Sequence, residues 1–497
     1  MKEIEFKGKM AMVTGDRRKR VVALALMVLS VSAFALVPEN QSDGERYEDA
    51  LRSTRCAQLS ARSAPDWFKR GFVYQVQPRA FTPEGTLKAA TAKLPLVRES
   101  GAGIVYLMPV NVLDDETNQL SRICRELGQP KGFYRTKDYF NTDPEFGTNA
   151  DRKNFVDECH RLGMKVIFDI VLYHCGPSAV LIKKNPNWVE RNPDGSVRLG
   201  KWGRPVLDFK EQGLREYLYA LLGYLVADVG VDGFRCDVAE TQPLDFWEEA
   251  HRRLSAIKSD VVLICEGYGC PGEQEKAFDC CYDWKGMEAL RGALDGRVPL
   301  SRIREEWTVK RTHCERGARF LRYVENHDET DASQNKGPRG DSDERWGRKR
   351  MEAALFYCFT SDGVPFLYNG NEFADRSFQR MLLKTPIDWS ARDTPEGRER
   401  LAFVRKFARL RQADAAFSTD AMLTWVDNDC PDAVLSYVKQ AQGSAWLCVV
   451  NLSKSAQKAT VSGYGCHELG VGEWKLISLP VCVKEAQLGM MAYRRPR

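Results

Sequence analysis

Four apolar, strand-like segments of the sequence end in ionisable side chains. These side chains are Asp169 and His174, Arg235 and Asp237, Glu266, and His327 with Asp328. Carboxyl and imidazole groups carry out proton transfer and nucleophilic attack in enzymes. Carboxylates are also costly to bury without partners, so the alternative is a set of salt-bridged structural acids.

The segments belong to a series of eight strand-like runs, separated by helix-length stretches. The runs are Gly71–Gln77, Gly103–Met108, Lys165–Val171, Gly230–Val238, Val261–Glu266, Phe278–Trp284, Phe320–Asn326 and Gly363–Tyr368. This alternation predicts repeated βα units and a parallel sheet. We predict an α/β fold, a (β/α)8 barrel over residues 67–413 with a short insert after the third strand. Reactive groups in such a barrel lie at the carboxyl ends of the strands, where the ionisable side chains occur.

A second, all-β domain of the sandwich type is predicted for residues 414–497. The last barrel helix begins with Thr394 as N-cap and Pro395 at the first helical position. Short strand-like runs separated by turns follow that helix. They are Ala433–Gln440, Ala445–Ser453, Lys458–Gly463 and Trp474–Pro480. Residues 36–66 are polar and lack clear periodicity, which is typical of a linker.

Residues 1–35 have the pattern of a signal peptide. The basic cluster Arg17–Arg20 precedes an apolar run from Val21 to Leu36 that ends in small residues. As a helix the run would span about 24 Å, less than the bilayer core of about 30 Å. We therefore expect export with cleavage and a secreted or periplasmic protein. An uncleaved anchor, or a translation start at Met10 or Met12, is the alternative.

The net charge argues against a nucleic-acid partner. The formal charge is +5, and residues 1–35 contribute +4 of it through seven basic and three acidic residues. The remainder of the chain is therefore close to neutral, without the basic excess that nucleic-acid binding requires. A membrane is expected as a partner only if the leader is uncleaved.

The fifteen cysteines include no CxxC pair and no spacing that predicts a zinc site. Several lie in apolar runs and are predicted to be buried free thiols. These are Cys236, Cys265, Cys358 and Cys448. A second group, at predicted loops or strand ends, is open to pairing after export. Its members are Cys270, Cys280, Cys281 and Cys314.

The four ionisable segments, in this order, resemble the four sequence regions of the α-amylase family, glycoside hydrolase family 13. Further matches occur in the same order along the chain. They are Val73–Val76 with Arg79–Phe81, Gly103–Val110, Asp138–Tyr139 with Asp143–Thr148, and Gly363–Gly370. The resemblance covers roughly residues 67–480. It implies a retaining glycosidase that acts on α-1,4-glucosidic bonds of starch-like glucans or malto-oligosaccharides.

The resemblance also implies a role for each candidate residue. Asp237 is expected to be the nucleophile, Glu266 the general acid/base and Asp328 the transition-state stabiliser. The substrate-binding residues are expected to be Tyr134, His174, Arg235 and His327. Asp169 matches an aspartate that pairs with the arginine, and a purely structural role is the alternative for it. Ordinary core packing is the alternative for Tyr134.

The implied mechanism sets requirements on the two carboxyl groups. A retaining enzyme needs one carboxylate as nucleophile and a second, about 5–5.5 Å away, as proton donor. Arg235 lies two residues before Asp237, so both side chains should lie on one face of the strand. We expect the guanidinium to lower the pKa of Asp237. Glu266 must instead keep its proton, which calls for a less polar setting and carboxylate neighbours.

The sequence departs from the family pattern at two places. Tyr173 stands where calcium-dependent α-amylases carry an asparagine ligand, and the insert after the third strand is short. We therefore expect no structural calcium there, and no other cofactor. Val238, Ala239 and Glu240 follow the nucleophile in place of the Lys-His pair of many α-amylases. These departures suit short malto-oligosaccharides or transfer reactions. The resemblance also leaves transglycosylation or isomerisation by the same apparatus as the alternative to hydrolysis.

A non-enzymatic function is the competing hypothesis. Heavy-chain subunits of some amino-acid transporters resemble this family and carry an N-terminal anchor before the barrel. Such relatives lose catalytic residues, whereas this chain keeps all three carboxylates together with Arg235 and both histidines. The sequence therefore favours the enzyme.

Overall fold

The computed structural model describes residues 59–115, 131–269, 272–330, 341–377 and 383–480. Within these ranges, eight parallel strands form the central sheet, and β3 with β4 forms a separate hairpin. In chain order the strands are β1 Val73–Val76, β2 Ile104–Leu107, β3 Asn111–Asp115, β4 Lys131–Thr142, β5 Lys165–Ile170, β6 Gly233–Cys236, β7 Val262–Cys265, β8 Cys280–Cys281, β9 Leu321–Arg322 and β10 Val364–Tyr368.

The central sheet closes into a barrel. Its strand order is β8-β7-β6-β5-β2-β1-β10-β9, and a parallel bridge between Cys281 and Phe320 joins the two ends. The last strand, β10, pairs with the first, β1, with Val73 opposite Phe366. All eight strands fall within the predicted runs, so the predicted (β/α)8 barrel is confirmed.

Helices occupy the stretches between the strands. They are α1 Asp66–Arg70, α2 Pro78–Phe81, α3 Leu87–Glu99, α4 Asn149–Arg161, α5 Val180–Lys184, α6 Gln212–Tyr224, α7 Leu244–Ile257, α8 Glu273–Lys276, α9 Trp284–Asp295, α10 Ser301–His313, α11 Asp341–Trp346, α12 Arg348–Thr360 and α13 Pro395–Ala413. The predicted start of the last one is confirmed, because the Thr394 hydroxyl accepts a hydrogen bond from the Gly397 N–H at 3.0 Å.

A buried ion cluster stabilises the amino-terminal end of the barrel. Asp232, just before β6, is 1% exposed and accepts hydrogen bonds from His160 Nε2 at 2.7 Å and Lys165 Nζ at 3.0 Å. Lys258 Nζ lies 2.6 Å away, and the Val166 N–H donates at 2.8 Å. Burial raises the pKa of Asp232, but these donors outweigh it and hold the pKa well below its usual range.

One feature of the barrel region was not predicted, because the connection between β2 and α4 contains the antiparallel hairpin β3–β4. The predicted insert follows the third barrel strand, β5, and holds short helices and isolated bridges, among them His174 opposite Val206. Both lie on the side of the barrel where the parallel strands end.

The carboxyl-terminal part is all-β, as predicted. Strands β11 Met422–Trp425, β12 Val434–Ala441, β13 Ser444–Asn451 and β16 Trp474–Ser478 form one antiparallel sheet, and β14 Gln457–Val461 pairs with β15 Gly465–Leu469. The four predicted runs correspond to β12, β13, β14 and β16, whereas β11 and β15 were missed. This part packs on the barrel through stacked rings of Phe356 and Trp474, whose centroids lie 4.9 Å apart.

The predicted leader and most of the predicted linker lie outside the described residues. In the part of the chain that the structure describes, no helix combines the length and apolarity needed to cross a membrane. The described cysteines are free thiols, and most of them are buried, including Cys280, Cys281 and Cys314. Cys270 lies outside the described residues.

Candidate active site

The ends of adjacent strands bring the predicted acids together. Asp169 is in β5, Asp237 directly follows β6 and Glu266 directly follows β7. The ladder continues past the strands, because the Asp237 N–H donates to Ile170 O at 3.0 Å and the Glu266 N–H to Cys236 O at 3.0 Å. The carboxyl groups of Asp237 and Glu266 are therefore held on neighbouring backbone segments that are hydrogen-bonded to the sheet.

Arg235 connects three of these acids. Its Nη1 lies 2.8 Å from Asp169 Oδ1 and 2.9 Å from Asp237 Oδ1, and its Nη2 lies 2.8 Å from Glu266 Oε1. Its Nε also donates to the Tyr282 hydroxyl, at 3.4 Å. The guanidinium is 1% exposed, so one cation partly neutralises three buried carboxyl groups. Arg235 and Asp237 lie on one face of the strand, as the period-two argument required.

Glu266 is held by a strained backbone as well as by Arg235. Its Oε2 accepts a hydrogen bond from the Val238 N–H at 2.8 Å. Val238 has a φ of +47°, in the left-handed region that a β-branched residue rarely adopts. Strain of this kind costs about 1–3 kcal/mol and persists where the surroundings enforce it. Here it turns the amide that follows the predicted nucleophile toward the predicted proton donor.

The pKa of Asp237 is raised, which corrects the expected lowering. Burial raises it most, the neighbouring Glu266 carboxyl raises it further, and Arg235 lowers it without offsetting the other two. The pKa of Glu266 is also raised, because burial and the Asp328 carboxylate outweigh Arg235. The two side chains are within hydrogen-bonding reach of each other. They therefore titrate as a pair, and the raised pKa values favour one proton shared between the two carboxyl groups.

A hydrogen-bonded chain links Gln75, His327, Tyr134 and Asp169. Gln75 Nε2 lies 2.8 Å from His327 Nδ1, and its Oε1 accepts from the His327 backbone N–H, which fixes Nε2 as donor. His327 is then neutral with its proton on Nε2, which faces the Tyr134 hydroxyl at 2.6 Å. That hydroxyl donates to Asp169 Oδ2 at 2.9 Å. Asp328 lies beside this chain, with its Oδ2 3.6 Å from His327 Nε2.

Tyr134 lies against His327 and Arg235. Its ring stacks with that of His327 at a centroid distance of 5.6 Å, and the guanidinium carbon of Arg235 lies 5.7 Å from the ring centre. Only 8% of the residue is exposed. Its role as a platform under a sugar stays a prediction.

His174 is buried beside a cation. Burial, and then the Arg204 guanidinium, lower the pKa of His174 to about 3, so the ring is neutral. Its Nε2 lies 2.9 Å from the Tyr134 carbonyl and 3.0 Å from Arg204 Nη1. Its Nδ1 is buried without a partner. An orphaned ring nitrogen beside the other candidate groups suits a ligand hydroxyl.

The rim beside His174 carries an aromatic ring. Trp202 is 36% exposed and lies edge-on to His174, with ring centroids 5.5 Å apart. Trp188 instead packs against Tyr217, with ring centroids 5.2 Å apart. Trp202 is therefore the better placed of the two tryptophans to contact a sugar.

Sequence reasoning missed three residues that support the site. The Tyr106 hydroxyl donates to Asp169 Oδ2 at 2.6 Å, Gln75 orients His327, and Arg204 contacts His174. Gln75 and Tyr106 are polar groups within apolar barrel strands, and that signal was in the sequence. Arg204 lies in the irregular insert, where no periodicity locates it.

The chain is similar to several known proteins. The family model for the alpha-amylase catalytic domain matches residues 42–196. Alpha-amylase MalA of Haloarcula japonica is 27% identical over 465 residues, which cover 87% of this chain and 63% of that protein. The chain thus spans less than two thirds of that relative's length. An alpha-1,4-glucan:maltose-1-phosphate maltosyltransferase of Streptomyces coelicolor is 24% identical, over 79% of this chain and 60% of that protein.

A solved structure shows the same fold. The noncanonic maltogenic alpha-amylase AmyB of Thermotoga neapolitana superposes with a TM-score of 0.72 at 25% identity. The match covers 83% of this chain and 99% of that one. With its eight-stranded barrel, its four acids at the strand ends and these relatives, the chain resembles the α-amylase family.

Proposed function

We propose that the protein is a retaining glycosidase that cleaves α-1,4-glucosidic bonds in starch-like glucans or malto-oligosaccharides. The observation that carries the proposal is the pair Asp237 and Glu266, which lie side by side on neighbouring strand ends and share the Arg235 guanidinium. A pair of carboxyl groups with one proton between them supplies both an acid and a nucleophile.

The reaction would run in two displacements. Glu266 gives its proton to the glycosidic oxygen, while the Asp237 carboxylate attacks the anomeric carbon and the leaving sugar departs with the bonding electrons. Glu266, now ionised, takes a proton from water, whose oxygen displaces Asp237 and restores both groups. Asp328, beside His327, would stabilise the positive charge that develops on the ring.

Binding of the reacting sugar would use the histidines of the site. The unpartnered Nδ1 of His174 offers a hydrogen bond to a hydroxyl. His327 Nε2–H faces the Tyr134 hydroxyl. When a sugar binds, this N–H would donate its hydrogen bond to a sugar hydroxyl, alone or together with Tyr134. The names of the relatives, amylases and a maltosyltransferase, support an α-glucan as the substrate and leave transfer as the alternative outcome.

The test is a product analysis with variants. The purified chain is incubated with maltotriose, maltoheptaose, soluble starch, pullulan, cyclodextrins, trehalose and sucrose, and products are resolved by chromatography. Asp237→Asn and Glu266→Gln should each lose at least about 10³-fold in rate. Glu288→Gln, at an exposed position on α9, is the matched control and should stay fully active.

The outcomes distinguish the candidates. Short products that accumulate with retained anomeric configuration support the hydrolase, whereas products longer than the substrate support transfer. A folded protein that consumes none of the α-glucans would overturn the proposal and favour the non-catalytic barrel.

We also propose that the protein needs no calcium near Tyr173. The Tyr173 ring lies edge-on to Trp202, with centroids 6.1 Å apart, so the position contributes an aromatic contact in place of an oxygen ligand. Activity that is unchanged after dialysis against a calcium chelator is the expected result. The basic cluster before the apolar run supports export, and sequencing the amino terminus of the exported protein tests cleavage near residue 35.

A further inference from the structure

A second group of reactive side chains lies behind the candidate active site. Cys265 is the last residue of β7 and Cys281 the last of β8, and the two lie opposite each other in the sheet. Glu273, at the start of α8, completes the group. The two sulfur atoms and a carboxylate oxygen all lie within 4.8 Å of one another. We call these three residues the thiol–carboxylate cluster.

The cluster lies on the outer face of the barrel wall. Successive side chains of a strand point to opposite faces, so Cys265 points away from the side on which Glu266 meets Arg235. Cys265 and Cys281 belong to the apolar layer between strands and helices, whereas Cys280 belongs to the barrel interior. Both cluster thiols are fully buried and Glu273 is 7% exposed. Water therefore does little to stabilise a charge there.

The hydrogen bonds around Cys281 place an amide donor and a carboxylate at its sulfur. Gln274 Oε1 accepts from the Arg319 backbone N–H at 2.8 Å, which fixes its Nε2 as a donor. That Nε2 lies 3.4 Å from Cys281 Sγ, so the sulfur accepts a hydrogen bond from an amide. The Cys281 thiol itself donates to Glu273 Oε2 at 3.5 Å, a separation that also suits two ligand atoms of one ion once the thiol proton has left.

A further acidic group borders the cluster. Glu315 is 3% exposed and accepts a hydrogen bond from the Gln274 backbone N–H at 2.9 Å. Buried acidic groups at this density require a proton or a cation to balance them.

We propose that the thiol–carboxylate cluster binds one zinc-like divalent cation, with Cys265, Cys281 and Glu273 as its ligands. Zinc takes sulfur at about 2.3 Å and carboxylate oxygen at about 2.0–2.2 Å in a tetrahedron, so ligand atoms within 4.8 Å need only small shifts. Binding would release the two thiol protons to solvent, since the thiolate is the ligand. Water would take the fourth position.

The cation would fix the backbone that carries Glu266. It would join the ends of β7 and β8 to α8, and Cys265 immediately precedes Glu266 in the chain. The site is thus structural, and it is distinct from the carboxyl groups proposed for the reaction.

The experiment measures metal binding to the full chain without reading activity. The purified protein is treated with a chelator and a thiol reductant, freed of both, and titrated with Co²⁺. We expect one Co²⁺ per chain, with the thiolate-to-cobalt charge-transfer band that Zn²⁺ then displaces. Cys281→Ser and Glu273→Gln should weaken Co²⁺ binding at least about tenfold, a scale at which loss of even an outer-shell partner is seen. Cys358→Ala, a buried thiol on α12 outside the cluster, is the control and should bind as the parent does.

A second measurement uses the parent protein alone, in case a variant fails to fold. In mild denaturant, Zn²⁺ should slow alkylation of Cys265 and Cys281 relative to Cys358, as mapped by mass spectrometry. Absence of the charge-transfer band, or equal alkylation of the three thiols, would overturn the proposal. A disulfide between Cys265 and Cys281 in the isolated protein would overturn it as well.

Discussion

Replacing Arg235 with lysine should abolish most activity although the positive charge is kept. The guanidinium reaches Asp169 and Asp237 from Nη1 and Glu266 from Nη2, at 2.8–2.9 Å. A lysine ammonium is a single point charge and cannot reproduce this fork. We expect at least two of the three charged contacts to be lost.

The magnitude follows from the value of such contacts. Each hydrogen bond to a charged group contributes about 1.5–3 kcal/mol, so two of them amount to about 3–6 kcal/mol. If this loss falls on the transition state, kcat/KM falls by about 10²- to 10⁴-fold, since each 1.36 kcal/mol is a factor of ten.

The assay compares kcat/KM on maltoheptaose for Arg235→Lys and for a surface control, Arg215→Lys. Arg215 pairs with Asp245, whose side chain is 68% exposed, and such pairs contribute about 0–1 kcal/mol. Urea unfolding of each variant separates loss of fold from loss of chemistry. A folded Arg235→Lys enzyme that keeps more than a tenth of the parent kcat/KM would refute the central role given to the guanidinium.

Four further expectations follow from the site and the fold. Tyr134→Phe keeps the ring but loses the hydroxyl that donates a hydrogen bond to the Asp169 carboxylate. Such a hydrogen bond contributes about 1.5–3 kcal/mol, so kcat on maltoheptaose should fall about 10- to 100-fold. Trp202→Ala removes an exposed ring, so KM for maltoheptaose should rise up to about tenfold with kcat nearly unchanged; an unchanged KM would exclude a stacking contact. Because the pKa values of Asp237 and Glu266 are raised, acidification should protonate Asp237, the proposed nucleophile, early, and the acid limb of a kcat/KM profile should lie above about pH 4, the ordinary aspartate value. Asp232→Asn should lower the free energy of unfolding by about 2–4 kcal/mol at neutral pH. This loss is smaller than that expected for a fully buried ion pair, because the His160 and Lys258 partners are partly exposed. The lowered pKa of Asp232 gives stability that is present above about pH 4 and lost below it, so the difference from the parent in urea unfolding should shrink on acidification.

The barrel could be predicted from the sequence because its signal is local and repeated. Runs such as Lys165–Val171 are apolar on both faces and bounded by turns, and the structure has β5 there at Lys165–Ile170. The lengths of the strands were less predictable. The predicted run Phe278–Trp284, for example, contains only the two-residue strand Cys280–Cys281. The hairpin β3–β4 was missed because its partner strands pair across a connection that no periodicity marks.

The candidate site could be predicted as a set of residues but not as an electrostatic balance. Residue spacing indicated that Arg235 and Asp237 share a face, and they do. It could not show that Glu266 reaches the same guanidinium, which depends on the register of β6 against β7. The predicted sign of the Asp237 pKa shift was wrong because burial, and then the Glu266 carboxyl, raise the pKa more than Arg235 lowers it. The thiol–carboxylate cluster was missed for a similar reason, since two adjacent strand ends bring together residues whose spacing resembles no zinc motif.

The pairing of β10 with β1 has a consequence for how the chain folds during synthesis. Val73 cannot pair with Phe366 until nearly three hundred further residues have been synthesised. At about 5–20 residues per second, the ribosome needs about 15 to 60 s for that stretch. Throughout this interval the nascent sheet keeps β1 as an open edge, with unpaired amides that invite pairing with other chains. The last strand to emerge is inserted between β1 and β9, so the nascent polypeptide depends on its final barrel strand for protection from aggregation.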